Sequence, residues 1–236
     1  MTLKLLIILL LLLGLSWQNA FAQVWEDAAN PATAVSQAPQ DPVIIPFTEF
    51  DFETKPYLRE YTNVIVINKA NEGKNKQTLR LYVDGKLQLI TKISSGREKY
   101  EIGCSAGQNP KKDHCSVRAY WSTTPVGYFD TDKLDQRYYS NLWQTWMPYA
   151  VFFESGIATH QAPAGTEGKL GERASGGCVR MHPDKAPLIF KAVEKAGKGL
   201  VPSLKRDGSL AKTSAGDVIR KINYKTLYIV ENEIVP

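Results

Sequence analysis

Short stretches of alternating or uninterrupted apolar residues recur along the chain from residue 63 onward, and most have the length of a β-strand. Residues 63–68 (NVIVIN) are β-branched at their centre, which is typical of a buried strand. Residues 77–83 and 86–93 alternate polar and apolar side chains on either side of Asp84-Gly85, the strongest hairpin signal in the sequence. Three further strands are expected, at residues 150–153, 156–160 and 226–235.

One segment has the period of a helix instead. It lies between Pro183 and Lys198, where apolar residues recur at helical spacing and where Gly197 or Gly199 can end the helix. Many strands and one clear helix together predict a mainly β fold, of the sandwich or barrel type.

The composition is that of an ordinary globular protein, with 43% hydrophobic and 22% charged residues among 236. Lysine and arginine (29) exceed aspartate and glutamate (24), which gives a net charge of +5 without a run of basic residues. So mild an excess does not indicate nucleic-acid binding, although it is compatible with attraction to an anionic polymer. The sequence does not indicate an oligomeric state.

The first 22 residues have the pattern of a secretory signal. Lys4 precedes an apolar run at residues 5–15 (LLIILLLLLGL), and Ala20-Phe21-Ala22 supplies the small-x-small cleavage pattern. The run is shorter than the ~20 apolar residues that a membrane-spanning helix needs, although an uncleaved anchor is the alternative. We therefore expect export to the periplasm or cell envelope, and no membrane attachment after cleavage.

Three segments follow from these patterns. Residues 1–22 are the predicted signal peptide. Residues 23–55 are rich in Ala, Pro, Gln and Asp without a helix or strand period, so they are predicted to be an extended lead-in or linker. Residues 56–236 contain nearly all of the predicted strands and the helix, and are predicted to form one domain.

The segment Ser175-Gly176-Gly177-Cys178-Val179-Arg180 is the strongest candidate for chemistry. A cysteine behind two glycines lies where the backbone can bend sharply and a substrate can come close. Backbone N–H groups at such a turn can point at a developing oxyanion. A free thiol has a pKa of about 8.5 and needs a nearby base. His160, at the end of a predicted strand, is the candidate base, and an active pair of this kind is expected to hold a thiolate below the usual thiol pKa.

The chain contains three cysteines, so one is left over when two pair. Cys104 and Cys115 flank a polar loop, and a disulfide between them leaves Cys178 as the odd thiol. The other two pairings would place Cys178 in a disulfide and exclude it as a nucleophile.

A metal site is the competing interpretation of this region. His182 lies four residues after Cys178, and His114 adjoins Cys115. However, Pro183 follows His182 and the sequence has no Cys-x-x-Cys motif. We therefore expect no metal and no cofactor.

His160, the glycine-rich spacer after it and the SGGCVRM segment resemble the signature of the L,D-transpeptidases, the YkuD-type enzymes of peptidoglycan. The resemblance runs from about Val64 to Ala196. It includes residues 67–96 (INKANEGKNKQTLRLYVDGKLQLITKISSG) and residues 122–129 (STTPVGYF). It implies a YkuD-like β-sandwich or barrel and a cysteine acyl-enzyme.

By this resemblance Cys178 would be the nucleophile and His160 its base, with the amides of Gly177 and Cys178 near the oxyanion. Arg180 occupies the Arg/Asn position of the motif, where it would steady the active-site loop or a substrate carboxylate, or else form a structural salt bridge. Ser175 matches the motif serine, with a hydrogen bond within the turn as its expected role.

Two positions depart from the family pattern. Gly176 stands where most members have a histidine, so any acceptor or oxyanion role of that histidine is missing here. Gln161 follows His160, where Gly or Ser is usual, so the group that orients His160 is open, a backbone carbonyl being one possibility.

The implied reaction is acyl transfer on a stem tetrapeptide of peptidoglycan. The Cys178 thiolate would attack the carbonyl of the third residue and expel the terminal D-Ala, and an amine of a second stem would then form a 3-3 cross-link. Other acceptors would make the enzyme an L,D-carboxypeptidase (water), a lipoprotein-anchoring enzyme (lysine) or an exchange enzyme (a D-amino acid). A cell-wall-binding module without turnover is the alternative from another class.

The aromatic segment at residues 138–149 (YYSNLWQTWMPY) supplies candidate walls for the substrate cleft. Tyr139, Trp143 and Trp146 are the residues expected there, with core packing or a lid as the alternative.

Overall fold

A computed structural model describes residues 38–109, 113 and 118–235 of the chain. Its helices are α1 (Asp51–Thr54) and α2 (Ala186–Ala196), with two short 3-10 helices at Pro56–Glu60 and Glu167–Lys169. Its strands are β1 (Asn63–Asn68), β2 (Thr78–Val83), β3 (Lys86–Ser94), β4 (Tyr100–Glu101), β5 (Tyr120–Trp121), β6 (Gly127–Asp130), β7 (Lys133–Ser140), β8 (Thr145–Glu154), β9 (Ile157–Gln161), β10 (Val179–Met181), β11 (Lys198–Pro202), β12 (Arg220–Tyr224) and β13 (Thr226–Glu231). The prediction of a mainly β fold with one longer helix after Cys178 is confirmed.

Nine of these strands form one sheet, in the order β6-β13-β1-β2-β3-β10-β9-β8-β7. Two neighbouring pairs are parallel, β1 with β13 and β9 with β10, and the other pairs are antiparallel. The predicted hairpin joins β2 to β3 at Asp84-Gly85, and both turn residues have positive φ. β4 with β5, and β11 with β12, form two separate two-stranded ladders.

The sheet folds over on itself, because strands far apart in its order touch through their side chains. Phe153 on β8 stacks on Tyr228 on β13, with ring centroids 4.6 Å apart, and meets Phe129 on β6 edge-on at 5.6 Å. The Tyr228 hydroxyl is 2.9 Å from the hydroxyl of Thr159 on β9. The two halves of the sheet therefore enclose one core, as a sandwich or barrel does.

Helix α2 closes this core with its apolar face. Ile189, Phe190 and Val193 are buried against the interior strands. The helix begins at Ala186, three residues later than Pro183, and Gly197 follows its last residue with φ of 61°. With ψ of −160°, this is a backbone conformation that glycine adopts without strain, so Gly197 can end the helix.

The uninterrupted apolar run of β1 has a direct cause, since both faces of this strand are covered. Ile65 and Ile67 belong to the core between the sheet halves. Val64 and Val66 belong to a second cluster on the outer face. A central strand buried on both sides favours apolar residues at every position.

The segment that covers the outer face of β1 comes from the predicted lead-in. The compact unit Pro39–Pro236 includes part of the predicted lead-in, and Phe47 and Phe52 are buried in the second cluster. The Phe47 N–H donates to Glu231 Oε2 at 2.8 Å, and Glu231 pairs with Arg80 at 2.7 Å. The lead-in is held by single buried side chains and one backbone hydrogen bond. Such contacts leave no repeating pattern of apolar residues in the sequence.

The predicted signal peptide and its cleavage site lie outside the described residues. Within the described part, no helix combines the length and the apolarity that a membrane span requires.

The packed lead-in gives a stability prediction. Phe47 is 2% exposed, whereas Ile45, two residues earlier, is 77% exposed. Phe47→Ala should lower the free energy of unfolding by about 3–5 kcal/mol, because it removes a buried aromatic ring and leaves a cavity. Ile45→Ala, the matched control, should change it by less than about 0.5 kcal/mol. Urea unfolding measures both, and equal effects of the two variants would contradict the packing described here.

Candidate active site

The parallel pairing of β9 with β10 brings the predicted nucleophile and base together. Arg180 on β10 is in register with His160 on β9, and Cys178 immediately precedes β10. Cys178 and His160 line the same pocket, which has a volume of about 260 Å³. Arg97, Trp143, Thr145 and Met147 also line this pocket.

The Ser175 hydroxyl closes the turn that carries the cysteine. It donates to the Cys178 carbonyl and accepts from the Gly177 N–H at 3.0 Å. Gly177 has φ of 130°, and a Cβ there would lie 3.0 Å from the Thr123 carbonyl oxygen, so this position requires glycine. The Gly177 amide is thus already bonded within the turn. This differs from the expectation that it faces an oxyanion, and leaves the Cys178 amide as the candidate donor.

Gly176 has no room for a side chain because two aromatic residues occupy the space. A Cβ at this position would lie 2.8 Å from the Tyr120 hydroxyl oxygen and 3.2 Å from the Trp143 ring. The Tyr120 and Trp143 rings contact each other at 5.3 Å between centroids. Gly176, where most family members have a histidine, therefore lies against an aromatic pair, and sequence reasoning did not identify the Tyr120 member of this pair.

The tautomer of His160 is defined by its hydrogen bond. The residue is 3% exposed, and its Nδ1 lies 2.7 Å from the Gln161 carbonyl oxygen. A carbonyl oxygen only accepts, so Nδ1 carries the proton and Nε2 keeps its lone pair. Burial lowers the pKa of His160 to about 4, since desolvation and the Arg180 charge outweigh the Gln161 bond, which favours the cation. The ring is therefore a neutral base at pH 7.

Cys178 is a free thiol that is partly exposed. Its Sγ lies 3.9 Å from the Gly156 carbonyl oxygen, a weak contact. Burial of the sulfur raises the pKa of this thiol, although a backbone hydrogen bond from Ala158 and the Arg180 charge oppose the shift. The resting pair is therefore a thiol and a neutral imidazole. This differs from the expected thiolate because desolvation of the sulfur outweighs the nearby cation.

Two guanidinium groups form a positive edge to the pocket. The Nη1 atoms of Arg97 and Arg180 lie 3.2 Å and 3.4 Å from the Ala174 carbonyl oxygen. Arg97 is paired with Glu101 at 2.6 Å. Among the described residues no carboxylate pairs with Arg180, and its buried Nε has no acceptor. An unneutralised guanidinium beside a pocket is suited to a carboxylate ligand.

The three aromatic residues predicted for the cleft divide between two surfaces. Trp143 lines the pocket, but Tyr139 and Trp146 lie outside it, 41% and 54% exposed, in an edge-to-face pair with centroids 5.1 Å apart. Alternation along β8 explains the division, since Thr145 and Met147 face the pocket and Trp146 between them faces away.

Two further predictions bear on this region. Cys115 lies outside the described residues, so its pairing with Cys104 stays a prediction, as does any role of His114. Within the described part, no three His, Cys, Asp or Glu side chains are grouped so that they could hold a metal ion.

A family model and several solved structures match the chain. The family model of the L,D-transpeptidase catalytic domain (YkuD) matches residues 62–208. No protein of curated function matches the chain. One matching solved structure is an L,D-transpeptidase from Xylanimonas cellulosilytica, with 20% identity, a match over 72% of this chain and 60% of that chain, and a TM-score of 0.45. A second is an L,D-transpeptidase from Stackebrandtia nassauensis, with 15% identity, a match over 74% of this chain and 57% of that chain, and a TM-score of 0.43. A third is an L,D-transpeptidase from Mycobacterium smegmatis, with 16% identity, a match over 72% of this chain and 59% of that chain, and a TM-score of 0.43.

The chain thus spans about 60% of the length of these solved structures. The family model itself covers more than half of the chain and includes both His160 and the turn at Cys178. The chain therefore belongs to the family of the L,D-transpeptidase catalytic domain.

Proposed function

We propose that this protein is an exported cysteine acyltransferase that transfers the acyl group of peptidoglycan stem tetrapeptides and forms 3-3 cross-links. The observation that carries the proposal is that a free thiol, Cys178, and a histidine whose Nε2 has no proton, His160, line the same pocket. Family membership supports the substrate class, and the pattern of the first 22 residues supports export.

The reaction begins from the neutral pair. As Sγ of Cys178 attacks the carbonyl carbon of the third stem residue, its proton passes to Nε2 of His160, and the carbonyl oxygen becomes an oxyanion. The Cys178 N–H is the backbone donor available to this oxyanion. Proton transfer in the same step as attack avoids a free thiolate in a site that disfavours it.

The tetrahedral intermediate then collapses to a thioester. The imidazolium gives its proton to the leaving nitrogen, and D-Ala departs as a neutral amine. An amine of a second stem attacks the thioester, His160 accepts the proton that the amine loses, and His160 then passes this proton to the Cys178 sulfur, which leaves as a thiol. The enzyme returns to its starting protonation state with one peptide bond broken and one formed.

Arg180 is the proposed ligand for a substrate carboxylate. Its guanidinium lies two residues from the nucleophile and has no carboxylate partner within the described part of the chain. Burial lowers its pKa, but an arginine stays charged at neutral pH. A bidentate pair with a carboxylate next to the scissile bond would hold the carbonyl at the sulfur.

The first test uses disaccharide-tetrapeptide and mass spectrometry. We expect a cross-linked dimer equal to two monomers less one D-Ala, because a second stem accepts the acyl group. Cys178→Ala should abolish the product, and His160→Ala should slow it by about 10²–10⁴-fold. His182→Ala, which removes an exposed histidine beyond β10, is the matched control and should leave the rate unchanged. Tripeptide monomer without dimer would replace the cross-linking proposal with carboxypeptidase activity, and product from Cys178→Ala would exclude the thioester.

The low pKa of His160 predicts an unusual acid limit for the reaction. Because the base must be neutral, kcat/KM should fall only as the pH drops through about 4, the pKa of His160 in the folded protein. A histidine with an ordinary pKa would lose half its activity at about pH 6.5. A pH–rate profile, together with an NMR titration of the His160 ring, measures both quantities. An acid limb between about pH 6 and 7 would contradict the neutral resting pair.

The crowding at Gly176 predicts a rescue. Gly176→Ala places a Cβ against the Tyr120 hydroxyl, so the turn must shift and kcat should fall by about 10²-fold, the cost of a displacement near 1 Å. Tyr120→Phe removes the hydroxyl and should restore most of the activity of Gly176→Ala. Steady-state kinetics of the two single variants and the double variant measure the coupling, and additive losses would show that this contact does not limit position 176.

A further inference from the structure

The segment at residues 122–124 is held between two glycines beside the active-site turn. A Cβ on Gly96 would collide with the Ser122 carbonyl oxygen, and one on Gly177 would lie 3.0 Å from the Thr123 carbonyl oxygen. Both glycines therefore allow the segment to approach backbone against backbone. Among the side chains of this segment, that of Thr124 reaches the turn itself.

The Thr124 hydroxyl uses its donor and its acceptor on opposite sides of the site. It donates to the Gly177 carbonyl oxygen at 2.6 Å and accepts from the Gly96 N–H at 2.8 Å. Thr124 is fully buried, so water cannot replace either bond if the hydroxyl is lost.

The bond to Gly177 has a consequence for the neighbouring amide. A peptide bond is planar and trans, so the carbonyl of one residue and the N–H of the next point in opposite directions. With the Gly177 carbonyl held by Thr124, the Cys178 N–H is turned away from Thr124. This N–H is the donor that the proposed function assigns to the oxyanion.

A buried ion cluster holds Thr124 in turn. Its N–H donates to Glu98 Oε1 at 3.0 Å, and Glu98 Oε2 pairs with Lys69 Nζ at 2.9 Å. Lys69 also pairs with Asp41 at 3.1 Å, and the other oxygen of Asp41 accepts the Val126 N–H at 2.8 Å. The two carboxylates thus bind the backbone at positions 124 and 126 while they share one ammonium group.

The cluster is not an ordinary surface ion pair. The Lys69 side chain is 2% exposed, and a charge so buried requires close partners. Glu98 has φ of 55°, a left-handed conformation that costs a non-glycine residue free energy. Asp41 comes from the N-terminal segment, outside the family match at residues 62–208.

We propose that Thr124 is a positioning residue that sets the direction of the oxyanion-binding amide of Cys178, and that Asp41 supports it through Lys69 and Glu98. The inference rests on the proposed function. It makes the N-terminal segment a part of the active site's support, although none of its described residues (38–55) lines the pocket.

Thr124→Val tests the positioning role of Thr124, because valine keeps the shape of the side chain and removes its hydroxyl. We expect kcat for cross-linking to fall by about 10–100-fold with KM nearly unchanged, since the lost interaction acts on the oxyanion. Alkylation of Cys178 by iodoacetamide forms no oxyanion, so its rate should stay within about threefold of the wild-type rate. Thr124→Ser, which keeps the hydroxyl, should restore most of the activity.

Thr131→Val is the matched control. Thr131 is also fully buried and also donates to a backbone carbonyl, that of Thr226 at 3.0 Å, away from the pocket. Wild-type kcat in Thr124→Val, or an equal loss of kcat in the two valine variants at equal thermal stability, would overturn the proposal.

Asp41→Asn tests the proposed support of Thr124 by Asp41. This variant should lower kcat, but by a smaller factor than Thr124→Val does, because Glu98 still binds Lys69 and the Thr124 N–H. Asp217→Asn, at an exposed aspartate, should have no effect. A kcat for Asp41→Asn equal to that of wild type would exclude the support from the N-terminal segment.

Amide hydrogen exchange at residues 175–178 separates this inference from the proposed function. Faster exchange of these amides in Thr124→Val than in Thr131→Val is expected whatever reaction the site performs. If the wild-type protein forms no cross-link, the proposed function fails while exchange still tests whether Thr124 holds the turn. If exchange is unchanged in Thr124→Val, the positioning role fails even in an active enzyme.

Discussion

The parallel pairing of β9 with β10 is the constraint on which the candidate site depends. Its register places His160 opposite Arg180, and Cys178 stands at the point where the chain enters β10. A one-residue slip would turn Arg180 to the other face of the sheet. The folded-over sheet and helix α2 bury the neighbouring Val179 and Met181, and this burial keeps the register in place.

Burial has opposite effects on the two reacting groups, and these effects fit together. It lowers the pKa of His160 to about 4 and raises that of Cys178, so both groups are uncharged at neutral pH. Arg180, whose buried Nε has no acceptor among the described residues, adds a positive charge at the edge of the same pocket. The site thus combines an uncharged thiol–imidazole pair with a separate cation.

Much of the fold and the centre of the site could be predicted from local patterns. The strand alternation, the Asp84-Gly85 turn and the helix before Gly197 are each encoded within a few neighbouring residues. His160 and Cys178 were identifiable because a thiol needs a base. Contacts made by single residues from distant segments were not identifiable.

The residues that were missed share this character. Tyr120 fills the space above Gly176, and Phe47 covers β1 from a segment without any period. Trp146 was expected in the cleft because it is aromatic, but the alternation of β8 turns it outward. Thr124 looks like an ordinary turn residue until its two bonds are seen.

The neutral resting state of Cys178 has a consequence for the lifetime of the protein. Oxidants and disulfides react with thiolates far faster than with thiols. A free cysteine in the oxidising compartment proposed for this protein is exposed to sulfenic acid formation and mixed disulfides. In the proposed mechanism the thiol loses its proton to His160 only as the acyl group is attacked, so the resting thiol would react slowly with oxidants.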